Sequence, residues 1–189
     1  QLLALAVAAA ALDDAGVAVP RESTGVILGR GGYLTSGMAR LVNGVRTAQQ
    51  LVTTLAELVP SLDAETLERV RVAFQQRAGE ELGPEQAIGL VPNLAASRIA
   101  NRLDLRGPAY TVDAACASSL VAVEQAVTEL ASGRCDLMLA GGVHHCHDIT
   151  FWSVFCQLGA LSRSQRIRPF DRAADGILIG EGTGVVVLK

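Results

Sequence analysis

Residues 109–133 read AYTVDAACASSLVAVEQAVTELASG, and the reading of this stretch decides the fold. Ala109–Val112 is strand-like. Asp113-Ala114-Ala115-Cys116 follows as a turn. Ser118–Ala131 then has helical spacing, which predicts one apolar face of Leu120, Val123, Val127 and Leu130. Gly133 stands where a helix-capping glycine belongs. A strand that runs straight into a helix is the repeating unit of an α/β fold.

The same alternation continues outward in both directions. Leu2–Ala15 reads as an apolar helix ending at Gly16. Thr24–Gly29 (TGVILG) reads as a short buried strand, with a glycine-rich loop over 29–37 behind it. Residues 47–58 and 63–77 have helical spacing, and 79–92 form a polar connection marked by Gly and Pro. Leu94–Leu103 is a further helix, and Arg106-Gly107-Pro108 a turn. Residues 136–143 (DLMLAGGV) read as a buried strand, and 177–188 (ILIGEGTGVVVL) as a glycine-interrupted strand pair or hairpin. The whole predicts an α/β domain over 1–189 with a covered sheet, without repeats, low-complexity stretches or linkers.

Composition narrows the function. Of 189 residues, half are hydrophobic, which excludes a disordered chain. Sixteen basic and nineteen acidic residues leave a net charge of −3, and no Lys/Arg run exists, so nucleic acid is not an expected partner. The longest apolar run, Leu2 to Leu12, is eleven residues, short of the roughly 20 of a membrane span. It resembles the core of a secretory signal but lacks a basic segment before it. Four cysteines in a chain of this length do not form a disulfide framework, so a reducing, cytoplasmic setting is expected. The chain begins at Gln1 without Met and ends at Lys189 just after a strand-like run, which gives the expectation of a piece of a longer protein.

Cys116 is the candidate nucleophile. It falls between a predicted strand and the start of a predicted helix. Backbone N–H groups there lack intrahelical partners and carry the positive end of the helix dipole. Such a setting favours the thiolate, the nucleophilic form. The same N–H groups could stabilise an oxyanion formed on a carbonyl under attack. Small neighbours (Ala114, Ala115, Ala117, Ser118, Ser119) leave room for a substrate. The alternative is a buried, inert cysteine, the common fate of a free thiol.

Five blocks go further. Residues 101–120 (NRLDLRGPAYTVDAACASSL), DLMLAGGV at 136–143, GALS at 159–162, RPFDRAADG at 168–176 and GEGTG at 180–184 follow one another in order. Together they resemble the beta-ketoacyl synthases, in particular ketosynthase domains of type I polyketide synthases, and nearest the iterative enediyne and polyunsaturated-fatty-acid branch. The likeness is close over 93–189 and loose over 1–92. It implies a thiolase-like fold, layered α-β-α-β-α, of which residues 1–189 would be a partial N-terminal domain. It implies that Cys116 accepts an acyl group from an acyl carrier protein or pantetheine thioester. Decarboxylation of a malonyl thioester and Claisen condensation follow, in polyketide or fatty acid biosynthesis. No cofactor is bound by such a domain; its substrates ride on phosphopantetheine. A homodimer is implied for the complete domain, paired through the 109–112 strand, and exposed apolar surface for this shorter chain. Phe155 corresponds to a phenylalanine bordering the family's acyl pocket, and Phe151 lies one helical turn earlier. Both are candidate substrate-binding residues, with ordinary core packing as the alternative.

The family's two catalytic histidines belong to its second half. His144, His145 and His147 match neither motif, so condensation is expected to need more than residues 1–189. Two rivals stay open: a thiolase-like acyltransferase that never decarboxylates, and a non-catalytic scaffold or chain-length protein. The run His144-His145-Cys146-His147-Asp148 has metal-ligand residue types, but consecutive ligands point in different directions, and no metal is expected. Gly180-Glu181-Gly182-Thr183-Gly184 precedes a strand, not a helix, which argues against a dinucleotide fingerprint. The loop Gly29-Arg30-Gly31-Gly32 lacks the Gly-Lys-Ser/Thr of a P-loop. Asp113 is expected to accept structural N–H bonds. Arg168, Asp171 and Asp175 are expected to pair charges around a turn held by Pro169.

Overall fold

A computed structural model of the chain describes residues 1–32, 36–77, 83–145 and 148–189. Its elements, in order, are α1 (Leu2–Ala15), β1 (Thr24–Gly29), α2 (Ser36–Val42), α3 (Ala48–Leu58), α4 (Ala64–Arg77), α5 (Pro84–Ile88), α6 (Leu94–Leu103), β2 (Ala109–Val112), α7 (Ser118–Ala131), β3 (Leu137–His144), α8 (Ile149–Gln157) and β4 (Gly182–Leu188). A π-helical turn, Asn43–Thr47, lies between α2 and α3. Among the described residues, no helix is long and apolar enough to cross a membrane.

The contacts fall into two compact units. One comprises 1–33 and 91–189, the other 34–90. The second is helical, with α3 packed on α4. Asp63 caps α4 by accepting the Thr66 N–H at 2.7 Å. The Gln75 amide donates to the Gly44 carbonyl, inside the π-helical turn, at 2.7 Å.

The first unit holds a four-stranded sheet in the order β2-β1-β3-β4. β1 runs parallel to β2 and β3, and β4 pairs antiparallel with β3. β1 is buried along its whole length. Successive residues of a strand point to opposite faces, so β1 serves two cores. Val26 and Leu28, with Leu139 of β3, pack against Ala4 and Ala8 of α1 and Ile99 of α6. Ile27, with Met138 and Ala140, packs against Ala122 and Ala126 of α7. The covered α/β sheet expected from the sequence is thus present, with helices on both faces.

Two expectations are corrected. The stretch 177–188 does not fold back on itself. Ile177 forms an isolated parallel bridge with Leu161, its N–H donating to the Ala160 carbonyl at 2.9 Å, and only Gly182–Leu188 joins the sheet. Backbone groups that would have closed a hairpin are already paired with the 160–162 segment. The inner face of α7 also differs. Ala122 and Ala126 meet the sheet, with Val123 and Leu130 of the expected face packed partly buried beside them, whereas Leu120 and Val127 are 73% and 51% exposed. Small residues win this face because α7 lies too close to β1 and β3 for large ones, as the contacts of Gly29 and Gly142 with Ser118 and Ser119 show. Exposed apolar side chains are present on this helix and elsewhere, among them Leu2 of α1, Ile149 of α8 and Phe170.

Candidate active site

The nucleophile candidate lies in a single 3-10 turn, Ala115–Ala117, between β2 and α7. Ala115 has φ +50°, a left-handed conformation that costs an L-residue roughly 1–2 kcal/mol. Side chains on both sides hold it there. Asp113 accepts the Ala115 N–H through Oδ1 at 3.0 Å and the Gly32 N–H through Oδ2 at 2.7 Å. Ser118 Oγ accepts the Ala114 N–H at 2.9 Å and donates to the Ala115 carbonyl at 2.6 Å. Strain of this kind, over-determined by its surroundings, is characteristic of functional sites. Asp113 has the structural role expected of it.

One chemical expectation changes. The N–H groups of Ala114 and Ala115 are committed to Ser118 and Asp113, and that of Ala117 to the Ala114 carbonyl at 3.1 Å. They fix the backbone under the thiol and are not aimed at a substrate oxygen.

Cys116 is exposed and not in a disulfide, which removes the alternative of a buried packing residue. Cys135 is the contrast: it is 3% exposed, and burial, with a smaller contribution from Glu129, pushes its thiol above the usual range. Cys156 is exposed on α8.

A cavity of about 630 Å³ is lined by Cys116, by Leu120 and Val123 of α7, and by Phe151 and Phe155 of α8. The two phenylalanines named from sequence and the cysteine are therefore brought to one space. Phe151 is 4% exposed, and its ring lies 4.8 Å from that of Phe155, centroid to centroid. Phe151 combines core packing and cavity lining, so the two alternatives were not exclusive. The helix that carries both was not read from the sequence. Its cap was visible, though: Asp148 precedes the apolar run and accepts the Thr150 N–H at 2.8 Å. The cavity residues His144, Ile177 and Ile179 were also missed as site residues.

The His144–Asp148 run is dispersed. His145 faces Glu181 (Nδ1–Oε2 3.2 Å) and Thr183 (Nε2–Oγ1 3.3 Å), while Asp148 caps α8. Cys146 and His147 lie outside the described residues. Among the described residues, no group of three potential ligands could hold a metal. The glycines at 180–184 lead into β4, so a strand does follow them.

The RPFD and DG blocks build one turn without the charge pairing expected there. Asp171 Oδ1 accepts the Ala173 N–H at 2.8 Å, and Arg168 donates to the Ala173 carbonyl at 3.3 Å. Asp175 accepts from the Ser162 hydroxyl at 2.7 Å, the Ser164 N–H at 2.8 Å and the Ser164 hydroxyl at 2.9 Å. Gly176 follows at φ +145°, where an added Cβ would strike the Leu161–Ser162 backbone. The Ser162 hydroxyl foremost, then the Ser164 N–H, hold the Asp175 carboxyl down at about 2. A depressed carboxyl stabilises the fold above its unfolded value of about 3.9, and that contribution disappears as pH falls toward the folded value. Asp175→Asn is therefore expected to lower the melting temperature at pH 7, with the gap to the parent closing on acidification below about pH 4. Circular-dichroism melts between pH 7 and 3 check this. A gap independent of pH would separate Asp175 from the effect.

Comparison with known proteins sets this geometry in context. The family model "Beta-ketoacyl synthase, N-terminal domain" matches residues 1–189. Among curated proteins, polyketide synthase ThaG of Burkholderia thailandensis is 42% identical over 106 residues, 56% of this chain and 2% of that protein. Polyketide synthase GfsA of Streptomyces halstedii is 41% identical over 115 residues, 61% of this chain and 2% of that protein. The chain thus spans only a small part of these relatives. Among solved structures, the ketosynthase from module 6 of the bacillaene synthase from Bacillus subtilis 168 matches 53% of this chain and 18% of that one, at 37% identity and TM-score 0.51. The ishigamide ketosynthase/chain length factor matches 97% of this chain and 39% of that one, at 25% identity and TM-score 0.66. The fold is that of these ketosynthases, which is thiolase-like.

Proposed function

Since the chain belongs to the beta-ketoacyl synthase family, through its N-terminal domain, we propose that Cys116 is the acyl acceptor of a polyketide-synthase condensing enzyme. The observation that carries this reading is an exposed cysteine, in a strained turn at the head of a helix, opening on an apolar cavity. In the first step the Cys116 sulfur attacks the carbonyl of an acyl thioester. The tetrahedral intermediate expels the pantetheine thiol, which leaves with the proton, and an acyl-cysteine remains. Phe151 and Phe155 border the acyl chain. In the second step a malonyl thioester loses carbon dioxide. Its enolate carbon attacks the acyl carbonyl, the C–S bond breaks, and a beta-ketoacyl thioester departs.

The enolate needs donors aimed at its oxygen. His144 and His145 already stand against Phe151 and Glu181 and are not assigned that part. An acyl carrier protein presents both substrates on phosphopantetheine, and the domain binds no cofactor of its own. β2 is an edge strand, which supports its pairing with a second copy in the complete enzyme. A cytoplasmic setting suits such an enzyme and its reduced thiols.

Trypsin offers a direct test. Cleavage at Arg106, Arg134 and Arg163 puts Cys116 in the peptide 107–134 and the other three cysteines in 135–163. After incubation with acyl-pantetheine thioesters, an acyl mass is expected on 107–134. Addition of malonyl-pantetheine is expected to give no beta-ketoacyl product from this chain alone. Acylation confined to 135–163 would overturn the assignment of Cys116. Beta-ketoacyl product would overturn the division of labour between the two halves.

A further inference from the structure

We propose that His144 is a positioning residue that sets the length of chain the cavity accepts, by fixing the two phenylalanine rings. Three aromatic rings stand in series. The His144 ring lies 5.3 Å from that of Phe151, centroid to centroid, at an interplanar angle of 57°. Phe151 in turn lies 4.8 Å from Phe155 at 56°. Tilted pairs at these distances are attractive beyond their buried area. All three residues line the cavity that Cys116 opens on.

The two ends of this series are held differently. His144 is the last residue of β3, pinned in register against Gly182 of β4. Phe151 is the only buried residue of α8. The helix therefore has one deep anchor, and that anchor rests on a ring carried by the sheet. Removing the imidazole lets Phe151 move toward the vacated space, and Phe155, one turn further along, moves with it. The cavity wall formed by the two rings then recedes.

This rests on the proposed role of Cys116, so the test is arranged to separate the two. N-alkyl iodoacetamides of increasing chain length alkylate a thiol without any acyl transfer. Their rates at Cys116 are read on the peptide 107–134 by mass spectrometry, for the parent, His144→Ala and His144→Phe. Acyl-pantetheine loading is measured in parallel. In the parent, the rate is expected to rise with chain length and then fall once the cavity is full. His144→Ala is expected to raise the long-to-short rate ratio by about two- to tenfold, the equivalent of one aromatic pair. His144→Phe, which keeps a ring, is expected to retain the parent profile.

A purely structural histidine would change all rates together and leave the profile in place. An unchanged profile in His144→Ala, a shift of equal size in both variants, or a parent rate independent of length would each overturn the proposal. A length-dependent alkylation pattern without acyl loading would sink the acyl-acceptor reading and leave the role of His144 standing.

Discussion

Cys116→Ala is expected to remove acyl loading on the peptide 107–134 and to leave the fold intact. Among the described residues, the nucleophile has no substitute in the cavity. Cys135 is buried, its thiol pushed up by desolvation, and Cys156 lies on α8 and does not line the cavity. Loss of the attacking atom removes the covalent step itself, so a fall of at least about a thousandfold in loading rate is expected. Stability should barely move. The side chain is exposed, and Ala115, Ser118 and Asp113 hold the turn without it. Substitutions at such positions fall within about 0.5 kcal/mol. Intact-mass kinetics with one acyl thioester, beside a thermal melt, measure both quantities. Undiminished loading in the folded variant would overturn the assignment of Cys116 as the acyl acceptor.

Gly29→Ala is expected to destabilise the molecule's central layer strongly. Gly29 ends β1, against the first turn of α7. A Cβ there would collide with the Ser118 carbonyl carbon and the Ser119 nitrogen, and would stand 2.6 Å from the Ser118 carbonyl oxygen. These are backbone atoms of a buried helix start and cannot swing aside. Overpacking a core costs about 1–3 kcal/mol and sometimes more, and here two elements must separate. At about 3 kcal/mol the melting temperature of a chain this size falls by roughly 6–12 °C. The displacement also reaches the site, because Ser118 closes the turn that carries Cys116. Loading is therefore expected to weaken at temperatures where the variant is still folded. Gly44→Ala is the control. An added Cβ there meets nothing within 4 Å, and its melting temperature should hold or rise. Equal melting temperatures for the parent and Gly29→Ala would contradict the close approach of β1 and α7.

Local chemistry made much of this molecule legible in advance. The run TGVILG reads as a buried strand, and AYTV, Asp113 and a small-residue turn read as feeding the helix over 118–131, as the structure has them. These readings depend on residue type and periodicity, which neighbours in sequence carry. Cys116 was legible for the same reason: its place between a strand and a helix is a local fact. The resemblance of the five blocks then supplied the fold family, and the comparisons agree with it.

What sequence could not determine was distance between elements. Helical spacing put Leu120, Val123, Val127 and Leu130 on one face; Val123 and Leu130 do reach the core, but Leu120 and Val127 stay exposed and Ala122 and Ala126 meet the sheet, where Gly29 and Gly142 let α7 approach closely. The destination of Ile177 depended on which backbone lies beside it in three dimensions, and that is the 160–162 segment. His144, Phe151 and Phe155 come from a strand end and two turns of a helix, and only their packing makes them one wall beside Cys116. Periodicity along a chain determines which groups seek burial; close packing in three dimensions determines which of them meet.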